Sequence, residues 1–395
     1  MSRGTQKKFA FLLFSRKGEI FIEIRVFEYI DDEFIPRLVT YTAVNVRYKL
    51  HAYEPSDFSF DFPINEFGAN EFKRNRFILI ENFIGIIKNI KKNAGIEINM
   101  MNVSGVDIKG LLTQFIIVPP DFSGVQSLVG FDTVSGFTDE CIKYYWRNNI
   151  GEHAKPERRL EFITIAENKG LGKPDEEYSA RFNRLSDVTA ELAKGANLVV
   201  AAYPQILLGH ILLDVKEPED RTASSTKPLI FSLDLKTVLQ MEHIQEISSY
   251  KNAFYSSQSG NQFGDEALTM FYTRDGETEP EGLERYEILL NVSVETPEPG
   301  NEYEEIRLQA VHAMQNYEAV DALNAKTNFT QLRYGLDYSV GDFVTVQNIE
   351  WGVEADIQIT AVEISESANG RIETVTLGTG EKGYIRQLRT EINNI

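Results

Sequence analysis

Between Ile20 and Phe27 the residues Ile20, Ile22, Ile24 and Val26 alternate with Phe21, Glu23, Arg25 and Phe27. A period of two belongs to a strand with one buried face, and no helix satisfies it. The pattern returns at Phe58, Phe60 and Phe62, which share one face before Pro63 stops the run. Arg76–Ile80 and Phe83–Ile90 are β-branched-rich segments separated by Glu81-Asn82, and Asn93-Ala94-Gly95 turns the chain into Ile96–Val103. Short strands joined by tight turns predict an antiparallel sandwich or barrel over residues 1–118. Ser104–Leu112 reads as a strand exit into a short helix, and Pro119-Pro120 closes the segment.

Helical signals then appear. Thr138 is a candidate cap for a helix carrying Ile142, Tyr145 and Trp146, and Ser186 for one carrying Val188 and Leu192 that ends at Gly195. With strands at Leu198–Ala202 and His210–Val215, residues 119–224 form a mixed α/β segment. Pro228–Leu235 and Ile244–Tyr255 return to β character. The longest helix candidate, Glu304–Leu323, places Ile306, Ala310, Ala313, Met314, Tyr317 and Val320 on one stripe, a core-packing pattern. The C-terminal part is β again: Phe343–Val346, Ile357–Ile364, a turn at Asn369-Gly370, and Ile372–Leu377.

Composition narrows the function classes. The 40 basic and 59 acidic side chains give a formal charge of −19, which opposes generic binding to a phosphate backbone. The charge is uneven: residues 1–118 carry a net of +2, and residues 263–320 a net of −11. The acidic stretch, rich in Pro and Gly, reads as solvated loops, either a solubilising surface or a wall facing something that must not stick. A single cysteine, Cys141, excludes an intrachain disulfide or a thiolate metal cluster, and its apolar helical setting makes it a structural thiol. The basic stretch Arg3–Lys8 followed by Phe9–Phe14 imitates an export signal. However, the six-residue apolar run meets Ser15-Arg16-Lys17-Gly18-Glu19 and is read as a strand. Membrane insertion is not expected.

No motif gives chemistry an address. Ser224-Ser225-Thr226-Lys227 fits the S-x-x-K pattern of acylating serine enzymes, but Pro228 and a strand follow it, so it reads as a polar turn. Gly170-Leu171-Gly172-Lys173-Pro174 resembles a phosphate-loop fragment without its first glycine or a following Ser/Thr, and reads as a loop. His51, His153, His210, His243 and His312 never pair at i, i+4. No catalytic residue, cofactor or metal is therefore assigned.

The order of segments carries a resemblance. Val46-Arg47-Tyr48-Lys49 through Asp57–Pro63 resembles the opening of siphophage minor tail proteins of the baseplate-hub (tail-hub) type, the ReqiPepy family. Phe83–Ile87 and Gly105-Val106-Asp107-Ile108 fit the strand pair and Gly-x-Asp-Leu segment that follow in that family. Asp220-Arg221-Thr222 is similar to its D-R-T element and Lys251-Asn252-Ala253 to its K-N-A strand. Tyr334–Val346 is similar to its closing signature, and Gln114 stands where an arginine is expected. The likeness covers about residues 40–385.

The resemblance implies a mainly β, α+β hub fold with two antiparallel β-barrels related to tail-tube subunits. The first barrel is expected at 1–118 and an α/β domain at 119–224. The second barrel is expected from 225–262 and 326–395, around a helical, acidic insert at 263–325. The structural signature comprises Asp220, Arg221, Tyr334, Gly341, Asp342, Trp351 and Gly352, with Gly341 permitting a positive φ or a close approach and Trp351-Gly352 anchoring a turn in the second core. A homotrimer would form a pseudo-sixfold ring at the tail tip or baseplate of a virion. It would contact tail-tube and distal-tail proteins and tip or receptor-binding proteins, with DNA only as passing cargo. The family brings no catalytic residues, and a chain ending at Ile395 is not expected to carry the peptidoglycan-cutting module of longer tail-tip proteins. Two other classes stay open. One is a tail-tip enzyme degrading host cell wall with an acid pair among its carboxylates, which turnover of cell-wall substrate would reveal. The other is a receptor-binding module presenting Tyr144, Tyr145 and Trp146, which glycan binding would reveal, although their helical context reads as core.

Overall fold

The computed structural model describes residues 15–16, 19–20, 22–95, 99–120, 122, 130–174, 176–258, 269–273, 278–292, 314, 317, 319–328, 330–368 and 370–378. The strand expected at Phe9–Phe14 lies outside them. After the two-residue ladder of β1 (Ser15–Arg16) and β2 (Glu19–Ile20), the alternating segments become antiparallel strands. These are β3 (Ile24–Ile30), β4 (Glu33–Thr40), β5 (Val44–His51), β6 (Asp57–Pro63), β7 (Phe77–Ile80), β8 (Phe83–Ala94) and β9 (Asn99–Asp107). Phe58, Phe60 and Phe62 are buried on one face of β6, as their spacing demands. Ile80 pairs with Phe83 across a two-residue turn in which Glu81 takes a φ of +53°. β9 runs into α1 (Ile108–Leu111), whose Gly110 amide donates to the Asp107 carboxylate at 2.9 Å.

The mixed segment contains β10 (Asp132–Gly136), α2 (Thr138–Asn149), β11 (Ile163–Ile165), β12 (Glu176–Ala180), α3 (Leu185–Gly195), β13 (Val199–Gln205) and β14 (His210–Lys216). The two helix starts differ from expectation. Phe137 holds the cap position of α2, with its amide donating to Glu140, while the Thr138 hydroxyl accepts from the Lys173 amide at 3.0 Å. Arg184 precedes α3, and the Ser186 hydroxyl donates instead to the neighbouring Asp187. One hydrophobic core takes residues from both sides of Pro119: Phe27, Phe34 and Phe77 from the strands, Ile142, Tyr145 and Trp146 from α2, and Val188 and Leu192 from α3. Cys141 is buried in the same core. Burial of Tyr145 and Trp146 removes them from any receptor-facing surface, and Tyr144 is half-buried with its hydroxyl on Asp132.

The remaining strands are β15 (Asp220–Arg221), β16 (Ile230–Ser232), β17 (Val238–Glu246), β18 (Ala253–Gln258), β19 (Thr269–Thr273), β20 (Glu287–Val292), β21 (Val320–Thr327), β22 (Phe343–Asn348), β23 (Val353–Ser367) and β24 (Gly370–Gly378). The described strands do not close into two barrels. One fourteen-stranded sheet runs β17-β21-β24-β23-β5-β6-β9-β8-β7-β3-β4, with β15, β16 and β22 attached through β23. The physical reason is the length of β23. Its first part pairs with β22, and its second part lies between β24 and β5, so strands from both expected barrels become hydrogen-bonded neighbours.

The chain divides into two compact units, Met1–Met241 with Ala325–Leu377, and Glu242–Asn324 with Gly378–Ile395. In the second, β18 pairs antiparallel with β19 and parallel with β20, and Phe254 and Leu290 are buried with Met314. Most of the helix expected at Glu304–Leu323, and most of the acidic stretch, lie outside the described residues. Val320–Leu323 are strand, a correction to that expectation: they open β21, whose place in the order of the large sheet is between β17 and β24.

Trp351 also corrects an expectation. It is 45% exposed in the four-residue loop that joins β22 to β23, where Asn348 pairs with Val353. Trp146, by contrast, is fully buried and donates from Nε1 to Thr189 at 2.9 Å. In paired urea melts, Trp146→Ala should cost about 3–5 kcal/mol, the range for an aromatic removed from a core. Trp351→Ala should cost less than about 1 kcal/mol.

Candidate functional site

The D-R-T element and the closing signature meet. Asp220 and Arg221 of β15 pair in parallel with Phe343 and Val344 of β22. A parallel pair this short needs additional fastening, and Asp342 supplies it. Its carboxylate accepts from Arg221 Nε at 2.9 Å, from the Ser339 amide at 2.9 Å and from the Glu219 amide at 3.4 Å. Burial pushes the Asp342 carboxyl above its ordinary range, against the opposing pull of the Ser339 amide and the Arg221 guanidinium. The Phe343 amide donates to Glu219 and the Leu229 amide to Arg221, while Thr345 Oγ1 accepts from the Ala223 amide at 2.7 Å. Asp220 turns outward and accepts from the Thr222 amide at 2.9 Å.

Gly341 has a φ of +98°, and a Cβ built there would lie 2.2 Å from Val199 Cγ2. Its amide donates to Ile359 at 2.7 Å, and the Ile359 amide returns a bond to Asp342 at 2.9 Å. Only glycine meets both the backbone angle and the close approach.

Tyr334 joins through its backbone, since its amide donates to Glu373 Oε2 at 3.0 Å. The Tyr338 hydroxyl donates to the same oxygen at 2.8 Å, and the two tyrosine rings meet edge to face at 5.8 Å. Burial, then the adjacent Glu373 charge, raises the Tyr338 phenol, which keeps it a donor. Glu373 is fully buried and also accepts from Arg371 Nε at 3.0 Å. The Arg371 guanidinium continues to Glu81, which accepts from the Tyr48 hydroxyl at 2.7 Å.

Five of the seven signature residues, Asp220, Arg221, Tyr334, Gly341 and Asp342, therefore belong to one clasp. Trp351 and Gly352 lie beyond Asn348 at the other end of β22, where Gly352 turns with a φ of +65°. Tyr338 falls within the closing signature, Tyr48 within the opening resemblance and Glu81 within a turn, but none was singled out for this contact. Val199, Arg371 and Glu373 carried no distinct signal, except that the last two stand two apart and so share a strand face. The chemistry of the clasp is fastening: its carboxylates are held by backbone amides, phenols and guanidinium groups. Among the described residues, no three His, Cys, Asp or Glu side chains converge as a metal site, and no helix is long and apolar enough to cross a membrane. His51, which lines the same sheet, is pushed down to about 3 by burial and then by Lys109, so its ring is neutral.

Gly341→Ala should destabilise by at least about 2 kcal/mol, combining backbone strain with overpacking. In a Val199→Ala background the same change should cost less, by about 1 kcal/mol, because the clash is gone and only the strain remains. A double-mutant cycle in urea that shows simple additivity would contradict this geometry.

The fold is shared with the 43 kDa tail protein of prophage MuSo2 from Shewanella oneidensis, with a TM-score of 0.50, 11% identity, and coverage of 90% of this chain and 98% of that one. A tail protein from Neisseria meningitidis MC58 aligns with a TM-score of 0.46 and 13% identity over 90% of this chain and 95% of its own. Prophage tail protein gp18 from Listeria monocytogenes EGD-e aligns with a TM-score of 0.44 and 12% identity over 94% and 99%. No curated protein matches the sequence. The model of the family described as Siphovirus ReqiPepy6 Gp37-like protein matches residues 23–379, nearly the whole chain, and the protein belongs to that family.

Proposed function

We propose that the protein is a structural component of a phage tail, a baseplate or tail-tip hub rather than an enzyme. The observation that carries this reading is the family match over residues 23–379, joined to a fold shared along nearly its whole length with a prophage tail protein. In this reading three copies form a pseudo-sixfold ring, each contributing two tube-like β regions. The first is built from residues 1–118, and the second from 225–262 and 326–395. Residues 119–224 form a supporting α/β domain, and the acidic insert at 263–325 lies at the periphery. The ring closes or adapts the tail tube, contacts tube and distal-tail proteins, and carries tip or receptor-binding proteins. The described part of the sheet supports such a ring, because β17 and β4 end its path and each has an outer edge that a neighbouring copy can extend.

DNA leaving the particle would pass through the ring. Lysines and arginines on the lumen would hold it by counterion release, whereas carboxylates repel it. The surplus of 59 acidic over 40 basic groups suits an acidic lining.

Light scattering or native mass measurement should give a species near three times 44.9 kDa, either alone or on addition of tail-tube or distal-tail partners. A chain that stays monomeric with those partners would overturn the hub reading. Duplex DNA should show no measurable binding at about 0.15 M salt; salt-sensitive binding there would overturn the acidic-lumen reading alone.

A further inference from the structure

Glu366 has no role in the clasp, yet it is only 5% exposed and neither carboxylate oxygen has a hydrogen-bond partner among the described residues. It sits on β23 at the point where this strand is flanked by both neighbours, with Val46 of β5 opposite it on one side and Arg371 of β24 on the other. Arg371 and Glu81 act on its charge, and the groups bonded in turn to these two or to Glu373 beside them come from every adjoining element. Arg371 and Glu373 belong to β24, Glu81 to the β7–β8 turn, Tyr48 to β5, and Tyr338 to the segment before β22. The Arg371 guanidinium already meets two carboxylates, those of Glu81 and Glu373. Glu366 is the third acid beside one cation, and an ionised carboxylate buried without donors is strongly disfavoured.

We propose that Glu366 is a proton-dependent latch on the β5–β23–β24 seam: protonated, it sits neutrally between the strands, and on losing its proton it loosens their pairing. Burial is the main cause that raises this carboxyl to about 7, with Glu81 adding to the rise and Arg371 opposing it. The sign follows. The unfolded chain ionises Glu366 near 4.5, so from there to about 7 the folded state binds the extra proton. Stability contributed by the protonated form is present below that window, falls as pH rises through it, and has gone above about 7.

This inference does not depend on the proposed tail role. Urea unfolding of the full chain and of Glu366→Gln and Glu366→Leu between pH ~5 and ~8 tests it. The ratio of the wild-type unfolding constant to that of either variant should rise by up to about tenfold per pH unit within the window and flatten above it. A ratio constant within about twofold would overturn the proposal. Wild-type hydrogen exchange provides a readout that needs no variant. Corrected for intrinsic rates, protection at Val46–Leu50 should fall between pH ~5.5 and ~8 while protection at Cys141–Trp146 in α2 holds. Equal behaviour of the two segments would overturn the local latch.

Discussion

The pairing of Val46–His51 with Ala361–Glu366 holds the large sheet together, because it is where strands from near the two ends of the sequence become neighbours. Closing so long a stretch of chain costs entropy before any contact repays it, so the contacts at this seam must be strong. Two kinds of interaction are present. On one face Arg47 bridges Asp57 at 2.7 Å and Glu363 at 2.9 Å. These groups are all more than a third exposed, so they contribute little, roughly 0–1 kcal/mol. On the other face Val46, Tyr48, Val362, Ile364 and Val375 are all buried. Each such side chain is worth about 1.5–3 kcal/mol on burial, so apolar packing dominates the energetics of the seam.

The buried ions therefore serve a different purpose. Arg371 and Glu373 gain little net stability from being paired in a dry place, with Glu81 half-buried on the other side of the guanidinium, and removing one partner would leave the others stranded. Their effect is selective, since only one arrangement of β5, β24 and the β7–β8 turn satisfies them all. The same logic operates in the α/β segment. Lys143 is fully buried between Asp139 and Asp214, each at 3.1 Å, and Asp139 also accepts the amides of Lys169 and Leu171. A loop of glycines and lysines that looks unstructured in sequence is thereby pinned to the start of α2.

Local patterns in the sequence were legible where one element could satisfy itself or its next neighbour. Alternation gave β6, the Glu81-Asn82 turn gave the β7–β8 hairpin, and apolar spacing gave α2 with Tyr145 and Trp146 inward. Within the clasp, the positive φ of Gly341 followed from a glycine at a strand entry, but its contact with Val199 did not, because nothing local links residues so far apart. Val320–Leu323 continued an apolar stripe of helical period, yet they open β21, a strand of the large sheet, so tertiary pairing rather than the local period decided their state. Trp351 looked like core by residue type alone, although the turn-forming glycine beside it placed both at an exposed loop. The meeting of the two expected barrels in one sheet was illegible for the same reason. It depends on β23 serving two ladders, a property of tertiary pairing rather than of any window of sequence.

How β23 serves both ladders comes down to one residue. Ile359 pairs with Leu377, but Ala361 pairs with Thr376 and Val362 with Val375, so Thr360 is an extra residue in the ladder. Leu377 and Val375 point to the same face of β24, which puts Ile359 and Val362 on one face of β23 despite their odd separation. Without the bulge, alternation from Ile359 would carry Ala361, Glu363 and Ser365 to that face and turn Val362, Ile364 and Glu366 away. Glu363 would then be buried and lost to Arg47, and Arg371 would face a different set of neighbours. The hydrophobic pattern of β23 is therefore readable only in two pieces, and the irregularity between them determines which carboxylates the seam buries and which it leaves in water.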